Sequence, residues 1–128
     1  MTTPRILAVA ALAALLALPG SAHAWQHGPS GSVVLPASYG GRAASDGAGG
    51  TFVAFATYSF ASSSNDIFVQ HFDARGQAQW PAPGVTVCSA PDQQECQAIQ
   101  PDGNGGCVVV WSDYRNVATG VDLYAQRI

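Results

Sequence analysis

The sequence contains no lysine, and its only glutamate is Glu95. Five arginines stand against eight acidic residues, so the formal net charge is −3 at pH 7. Binding along a nucleic acid backbone or an anionic bilayer depends on a dense basic surface. The composition therefore excludes both as expected partners.

The chain also lacks an apolar run long enough to cross a membrane. The longest run, Ile6 to Leu18, has 13 residues, whereas a spanning helix needs roughly 20. A basic start at Arg5 precedes this run, and Ala22-His23-Ala24 follows it. The arrangement predicts a cleaved signal helix over residues 1–24 and no permanent membrane anchor. We expect a secreted, periplasmic or cell-envelope protein whose mature chain begins at Trp25.

Motifs for metal or nucleophile chemistry are missing as well. No C-x-x-C pair occurs, and His27 and His71 have no partner at zinc-ligand spacing. No nucleophile elbow is present, and Glu95 with scattered aspartates does not form the carboxylate pair that glycoside hydrolysis commonly requires. The sequence therefore predicts no catalytic residues and disfavours an enzyme.

Three cysteines would meet an oxidising compartment if the signal is cleaved. Cys88 and Cys96 flank a polar turn at residues 89–95. A disulfide between them would staple the base of a hairpin and contribute about 2–3 kcal/mol. We expect this bridge, and we interpret Cys107, within an apolar run, as a small buried hydrophobic residue.

What the chain does have is an internal repeat. Residues 45–72 align without a gap on residues 101–128, a step of 56. Eight of the 28 aligned positions are identical: Asp46/Asp102, Gly47/Gly103, Gly49/Gly105, Gly50/Gly106, Val53/Val109, Tyr58/Tyr114, Asp66/Asp122 and Gln70/Gln126. Self-similarity of this size indicates a fold in which each unit needs its neighbour to bury its core.

The repeat units predict strands. Each unit opens on a tryptophan, Trp25 or Trp80, and continues with a short β-branched run, a polar connection and an Asp-Gly-x-Gly-Gly turn. A strongly apolar run follows, and a last strand of mixed polarity, at residues 66–72 or 122–128, completes the unit. Residues 51–56 and 107–111 are apolar on both faces, so these strands need cover on both sides. We expect an all-β protein with two tandem four-stranded antiparallel sheets, one from residues 25–79 and one from residues 80–128.

Several patterns carry a resemblance to a known repeat. They are Ser45-Asp46-Gly47-x-Gly49-Gly50, Trp111-x-Asp113-Tyr114-Arg115, Asp122-Leu123-Tyr124-Ala125-Gln126-Arg127 and the Asp73-x-x-Gly76-x-x-x-Trp80 stretch. Together they resemble the blade repeats of secreted bacterial β-propeller proteins of the sialidase-like type, in about two copies. The resemblance implies two propeller-type blades of an incomplete β-propeller. Closed propellers typically have four to eight blades, so further blades, self-association or a partner would cover the remaining faces.

The Asp-Gly-x-Gly-Gly turns carry the only repeated carboxylates in loops. Asp46, or Asp102 with Asn104, could ligate Ca²⁺, which takes six to eight oxygen ligands. One loop supplies too few oxygens, and an aspartate side chain readily caps its own turn. We favour the turn-capping role, keep calcium as the alternative, and expect no other cofactor.

One cluster of residue types suits ligand binding. Trp111, Asp113, Tyr114 and Arg115 place aromatic rings, a carboxylate and a guanidinium at one strand end. Aromatic rings can stack on a sugar, and an arginine guanidinium can donate two hydrogen bonds to ligand oxygens. The alternative, which we favour, is an Asp113–Arg115 pair that fixes the loop.

The expected function is non-catalytic. We predict an interaction module that binds an extracellular protein or glycan through the connections at residues 58–65 and 115–121. One alternative is an N-terminal fragment of a propeller-type, sialidase-like glycoside hydrolase. A purely structural repeat without a ligand is the other.

Overall fold

The computed structural model describes residue 35, residues 38–60 and residues 63–128. This part of the chain is all-β and contains no helix, so none of it forms a helix that could span a membrane. The strands are β1 (Ser38–Ser45), β2 (Thr51–Ser59), β3 (Ser64–Phe72), β4 (Val85–Cys88), β5 (Gln94–Pro101), β6 (Cys107–Asp113) and β7 (Asp122–Arg127). The predicted signal helix at residues 1–24 lies outside the described residues.

The strands form two antiparallel sheets, and neither sheet closes on itself. The first has the order β1-β2-β3-β4 and the second the order β5-β6-β7. Both bounds of β1 coincide with those of β5 after a shift of 56 residues, and β2 and β6 begin at equivalent residues. The sequence repeat is therefore a structural repeat, and the prediction of an all-β fold is confirmed.

Strand β4 joins the first sheet although it follows the boundary at residues 79 and 80 that the repeat suggests. It pairs with β3 through Ile67↔Cys88, Phe68↔Thr86 and Val69↔Val85. The chain reaches this position through Gly84, whose φ is +132° and whose Cβ, if present, would lie 2.3 Å from the Val69 carbonyl oxygen. The repeat in sequence and the sheets in space are thus out of phase by one strand.

The core lies between the two sheets, which stack face to face. The first sheet contributes Phe52, Ala54, Ile67 and Val69, and the second contributes Cys96, Ile99, Cys107, Val109 and Trp111. Strand β2 is buried on both faces because Phe52 and Phe55, on opposite faces, are each 1% exposed. Each large side chain buried in this way stabilises the fold by about 1.5–3 kcal/mol.

The face of the second sheet that points away from this core is more exposed to solvent than either face of β2. Val108 and Val110 are half-buried there, and Leu123 is 71% exposed. A shift of 56 residues places Val108 on Phe52 and Leu123 on Ile67, which are both in the core. Equivalent positions are therefore covered in the first sheet and uncovered in the second.

The expected Cys88–Cys96 disulfide does not form. All three cysteines are free and buried. The prediction was wrong because the residues between Cys88 and Cys96 do not close a hairpin: Cys88 ends β4 in the first sheet, and Cys96 lies on β5 in the second. Cys107 is fully buried as expected, and burial raises the pKa of its thiol to about 11.

Candidate functional site

The aspartates of the two repeated turns cap their own loops. Asp46 Oδ1 accepts hydrogen bonds from the backbone N–H groups of Ala48 at 2.7 Å and Gly50 at 2.8 Å. Asp102 Oδ1 accepts the equivalent bonds from Asn104 at 2.7 Å and Gly106 at 2.9 Å. These bonds satisfy backbone donors that the tight turn leaves unpaired.

The second carboxylate oxygen of each turn is engaged too. Asp46 Oδ2 lies 2.9 Å from Nε2 of His71, and Asp102 Oδ2 accepts a 2.6 Å bond from Nε of Arg127. The hydrogen bond with His71 is the main cause that lowers the pKa of Asp46, and the bond from the Asn104 N–H is the main cause for Asp102. With basic side chains already on these oxygens, the geometry favours turn capping over calcium binding.

A third turn of the same construction lies between the repeated pair. Asp73 Oδ1 accepts bonds of 2.9 Å from the N–H groups of both Arg75 and Gln77. Sequence reasoning treated this stretch only as part of the resemblance, although the Asp-x-x-Gly spacing signals the same turn. It orients the connection that leads to Trp80 and β4.

The predicted Trp111–Arg115 cluster assembles around a buried carboxylate. Asp113 is fully buried, and its Oδ2 accepts a 3.0 Å bond from Nε1 of Trp111. Arg115 donates from Nε to Asp113 Oδ1 at 2.9 Å and from Nη2 to Oδ2, while its guanidinium lies 4.5 Å from the ring centroid of Tyr124. The hydrogen bonds from Arg115 hold the pKa of Asp113 well below its usual range.

This cluster also joins the two sheets. Arg115 Nη2 lies 3.2 Å from Sγ of Cys88, and the same sulfur lies 3.7 Å from Asp113 Oδ2. Burial raises the pKa of Cys88, so the thiol is protonated at neutral pH and donates to the carboxylate. The charges of Asp113 and Arg115 are thus satisfied within the protein, which favours the role in loop fixation. Sequence reasoning missed Cys88 and Tyr124 as members of the cluster.

Tyr114 of the predicted set is 40% exposed, and a second exposed ring, that of Tyr58, belongs to the first sheet. Tyr58 is opposite Asn65 across the β2–β3 hairpin, and Asn65 Nδ2 donates to Gln93 Oε1. The carbonyl of Gln93 accepts a 3.1 Å bond from the Tyr114 N–H. This chain of contacts places Tyr58 and Tyr114 at the same end of the stacked sheets.

Phe60 extends this exposed group. Its ring is 89% exposed and meets Tyr58 edge to face, with centroids 5.0 Å apart. We call the surface formed by Tyr58, Phe60 and Tyr114 the aromatic end. Exposed apolar clusters rimmed by polar loops commonly mark interaction sites. Phe60 lies within the connection at residues 58–65 that was predicted to bind, but it was not named individually, because a lone phenylalanine in a serine-rich loop carries no motif.

No protein-family model, curated protein or solved structure matches this chain.

Proposed function

We propose that this chain is a secreted, non-catalytic binding module built from propeller-type blades, and that it binds an extracellular glycan or protein at the aromatic end. The observation that carries the proposal is the group of exposed rings of Tyr58, Phe60 and Tyr114 on loops held by the two sheets. The module would act at the cell envelope or outside the cell.

The order of the strands supports the blade assignment. A propeller blade is a four-stranded antiparallel sheet that packs face to face on the next blade. The first sheet runs β1-β2-β3-β4 in chain order and packs on the second, which runs β5-β6-β7. In this proposal the four-stranded first sheet and the three-stranded second sheet are two blades of an incomplete propeller.

The chemistry of the aromatic end supports recognition. Tyrosine offers a broad apolar ring with a polar tip, which suits surfaces that are wet before binding. Tyrosine is also enriched among the residues that dominate binding energy. The neighbouring Asp113 and Arg115 hold the loop rigid, so less conformational entropy is lost when a ligand binds.

The carboxylates support a non-catalytic role. Asp46, Asp102 and Asp113 each accept several hydrogen bonds within the protein. Burial raises the pKa of Asp66, but Asp66 lies opposite Thr57 on β2 and not opposite a second carboxylate. Glycoside hydrolysis by the usual route needs two carboxyl groups flanking one bond.

A glycan array and a pull-down from envelope extracts test the proposal with the purified exported chain. We expect binding to a glycan or protein that falls about tenfold or more in Tyr58→Ala and in Tyr114→Ala, as is usual for a dominant interface side chain. Val85→Ala, which trims a partly exposed side chain on β4, is the control and should bind normally. Binding that is absent, or equal in all variants, contradicts the proposal.

Export is tested separately by N-terminal sequencing of material collected outside the cytoplasm. We expect the first residue to be Trp25, because the signal over residues 1–24 is cleaved after Ala24. An intact Met1 on exported protein would exclude this cleavage.

A further inference from the structure

We infer that the outer edge of β7 is a binding site for an extended peptide strand, which takes the place that β4 occupies beside β3 in the first sheet. This site is separate from the aromatic end and does not depend on the function proposed there. It rests on the structural repeat and on the way each sheet edge is built.

The repeat identifies the acceptor residues. In the first sheet, Ile67, Phe68 and Val69 of β3 pair with β4. Their counterparts after a shift of 56 residues are Leu123, Tyr124 and Ala125 of β7, which pairs with β6 on one side. Within the described residues no strand pairs with the other side of β7. Alternate N–H and C=O groups of an edge strand point outward, and an added strand pairs with these groups.

The other three sheet edges carry features that hinder pairing. The register of β1 is irregular between Tyr39 and Arg42, and that of β5 is irregular between Cys96 and Ala98. Strand β5 also ends on a proline, and β4 has only four residues. Bulges, prolines and short strands are the means by which native edges avoid adding a further strand.

Strand β7 has none of these features. Its register with β6 is regular from Asp122 to Arg127, and its charged residues are confined to the two ends. The middle of the strand is Leu-Tyr-Ala-Gln, and the Leu123 side chain is 71% exposed where its counterpart Ile67 is fully buried. A regular edge strand with an uncharged middle is suited to β-augmentation.

Strand β4 shows what chemistry the edge accepts. It is the segment Val-Thr-Val-Cys, entered through Gly84. Because a Cβ on Gly84 would meet the Val69 carbonyl oxygen at 2.3 Å, the entering chain crosses β3 where only glycine fits. The ligand of β7 is therefore an extended segment in which a glycine precedes β-branched residues and no proline lies within the paired stretch.

The test uses the full, isotopically labelled chain and a capped synthetic peptide of residues 84–90 with the substitution Cys88→Ser. We expect amide hydrogen exchange of outward-pointing groups between Leu123 and Ala125 to slow at least tenfold at saturating peptide. Two control peptides carry Thr86→Pro or Gly84→Ala. Each should bind at least tenfold more weakly, because proline disfavours strand pairing and a Cβ in place of Gly84 would meet the acceptor backbone.

A matched pair of protein variants tests the same edge. Leu123→Lys introduces a charge at the proposed contact and should weaken peptide binding about tenfold, whereas Val117→Lys in the exposed loop before β7 should not. The Tyr58→Ala and Tyr114→Ala variants should bind the peptide normally, which separates this site from the aromatic end.

Three outcomes overturn the inference. They are unchanged exchange at β7, equal binding of all three peptides, and equal effects of the two lysine variants. Pairing of β7 with β7 of a second copy before peptide is added would also show that the proposed occupant is wrong.

Discussion

At the scale of single residues, one turn position carries two different chemistries. His71 and Arg127 are equivalent in the repeat, and each contacts the free carboxylate oxygen of its capping aspartate. The second turn therefore uses a guanidinium where the first uses an imidazole ring. His71 also stacks on Phe52, with ring centroids 4.4 Å apart, so the first turn is tied directly to the core.

The pH dependence of stability should reveal the charge of Asp46. Its pKa in the folded protein is lowered below the usual 3.8, so the ionised form stabilises the fold above that value and this stabilisation is lost as pH falls through the lowered pKa. The Asp46→Asn variant keeps the acceptor oxygen but removes the charge. We expect urea unfolding to show it less stable than the wild type at pH 6, and to show a smaller difference between the two at pH 2.5.

The exposed Asp92→Asn variant is the control, since it removes the same charge from an aspartate outside the repeated turns. A difference between Asp46→Asn and the wild type that stays constant from pH 6 to pH 2.5 would contradict this linkage.

At the scale of elements, the patterns in the sequence predicted some strands and missed others. The runs that form β2, β3, β6 and β7 were recognisable because they are strongly apolar or mix apolar and polar positions as a strand does. Strands β1 and β5 lie in segments that looked like polar connections, since one is rich in Gly, Ala and Ser and the other in Gln. Pairing with β2 and β6 overrides their low intrinsic strand preference.

Features that depend on contacts between residues far apart in the sequence could not be predicted. Strand β4 belongs to the first sheet because it pairs with β3. The sequence does not reveal this pairing, which is why the Cys88–Cys96 bridge was predicted wrongly. The turn caps and the Asp113–Arg115 pair could be predicted because their partners are at most four residues away. The approach of Cys88 to Arg115 could not, because 27 residues separate them.

The connection between the sheets depends on one buried amide. Gln94 Nε2 donates to the carbonyl oxygens of Ala90, Pro91 and Asp92 at 2.9–3.1 Å. We expect Gln94→Ala to lower the free energy of unfolding by about 1–3 kcal/mol, because these buried acceptors lose their donor. Gln94→Glu should be more damaging, since a carboxylate oxygen would face the three carbonyl oxygens.

Chemical denaturation of both variants measures the effect, with Gln97→Ala on the exposed bulge of β5 as the control. If Gln94→Glu proves as stable as the wild type, the amide does not hold this turn.

At the scale of the whole molecule, the two sheets share one core. Val109 of β6 is fully buried in the cluster that contains Phe52 and Val69 of the first sheet. Neither sheet can therefore keep its packed face if the other unfolds. Small domains built in this way usually unfold in a single cooperative transition.

The Val109→Ala substitution tests this coupling. Loss of buried methyl groups should lower stability by about 2 kcal/mol, and native-state hydrogen exchange should show the same loss for core amides of β2 and of β6. Val117→Ala, almost fully exposed in the loop before β7, should change neither. A loss confined to the second sheet would show that the sheets unfold independently.

The position of β4 has a consequence for anyone who wishes to cut or extend this chain. Strand β4 follows the repeat boundary but pairs with β3, so the first sheet contains residues from two successive sequence repeats. A fragment excised at residue 79 would lose the outermost strand of its sheet, and a unit grafted there would bring a strand with no place to pair. Splicing within residues 89–93, between the completed first sheet and β5, keeps each sheet whole.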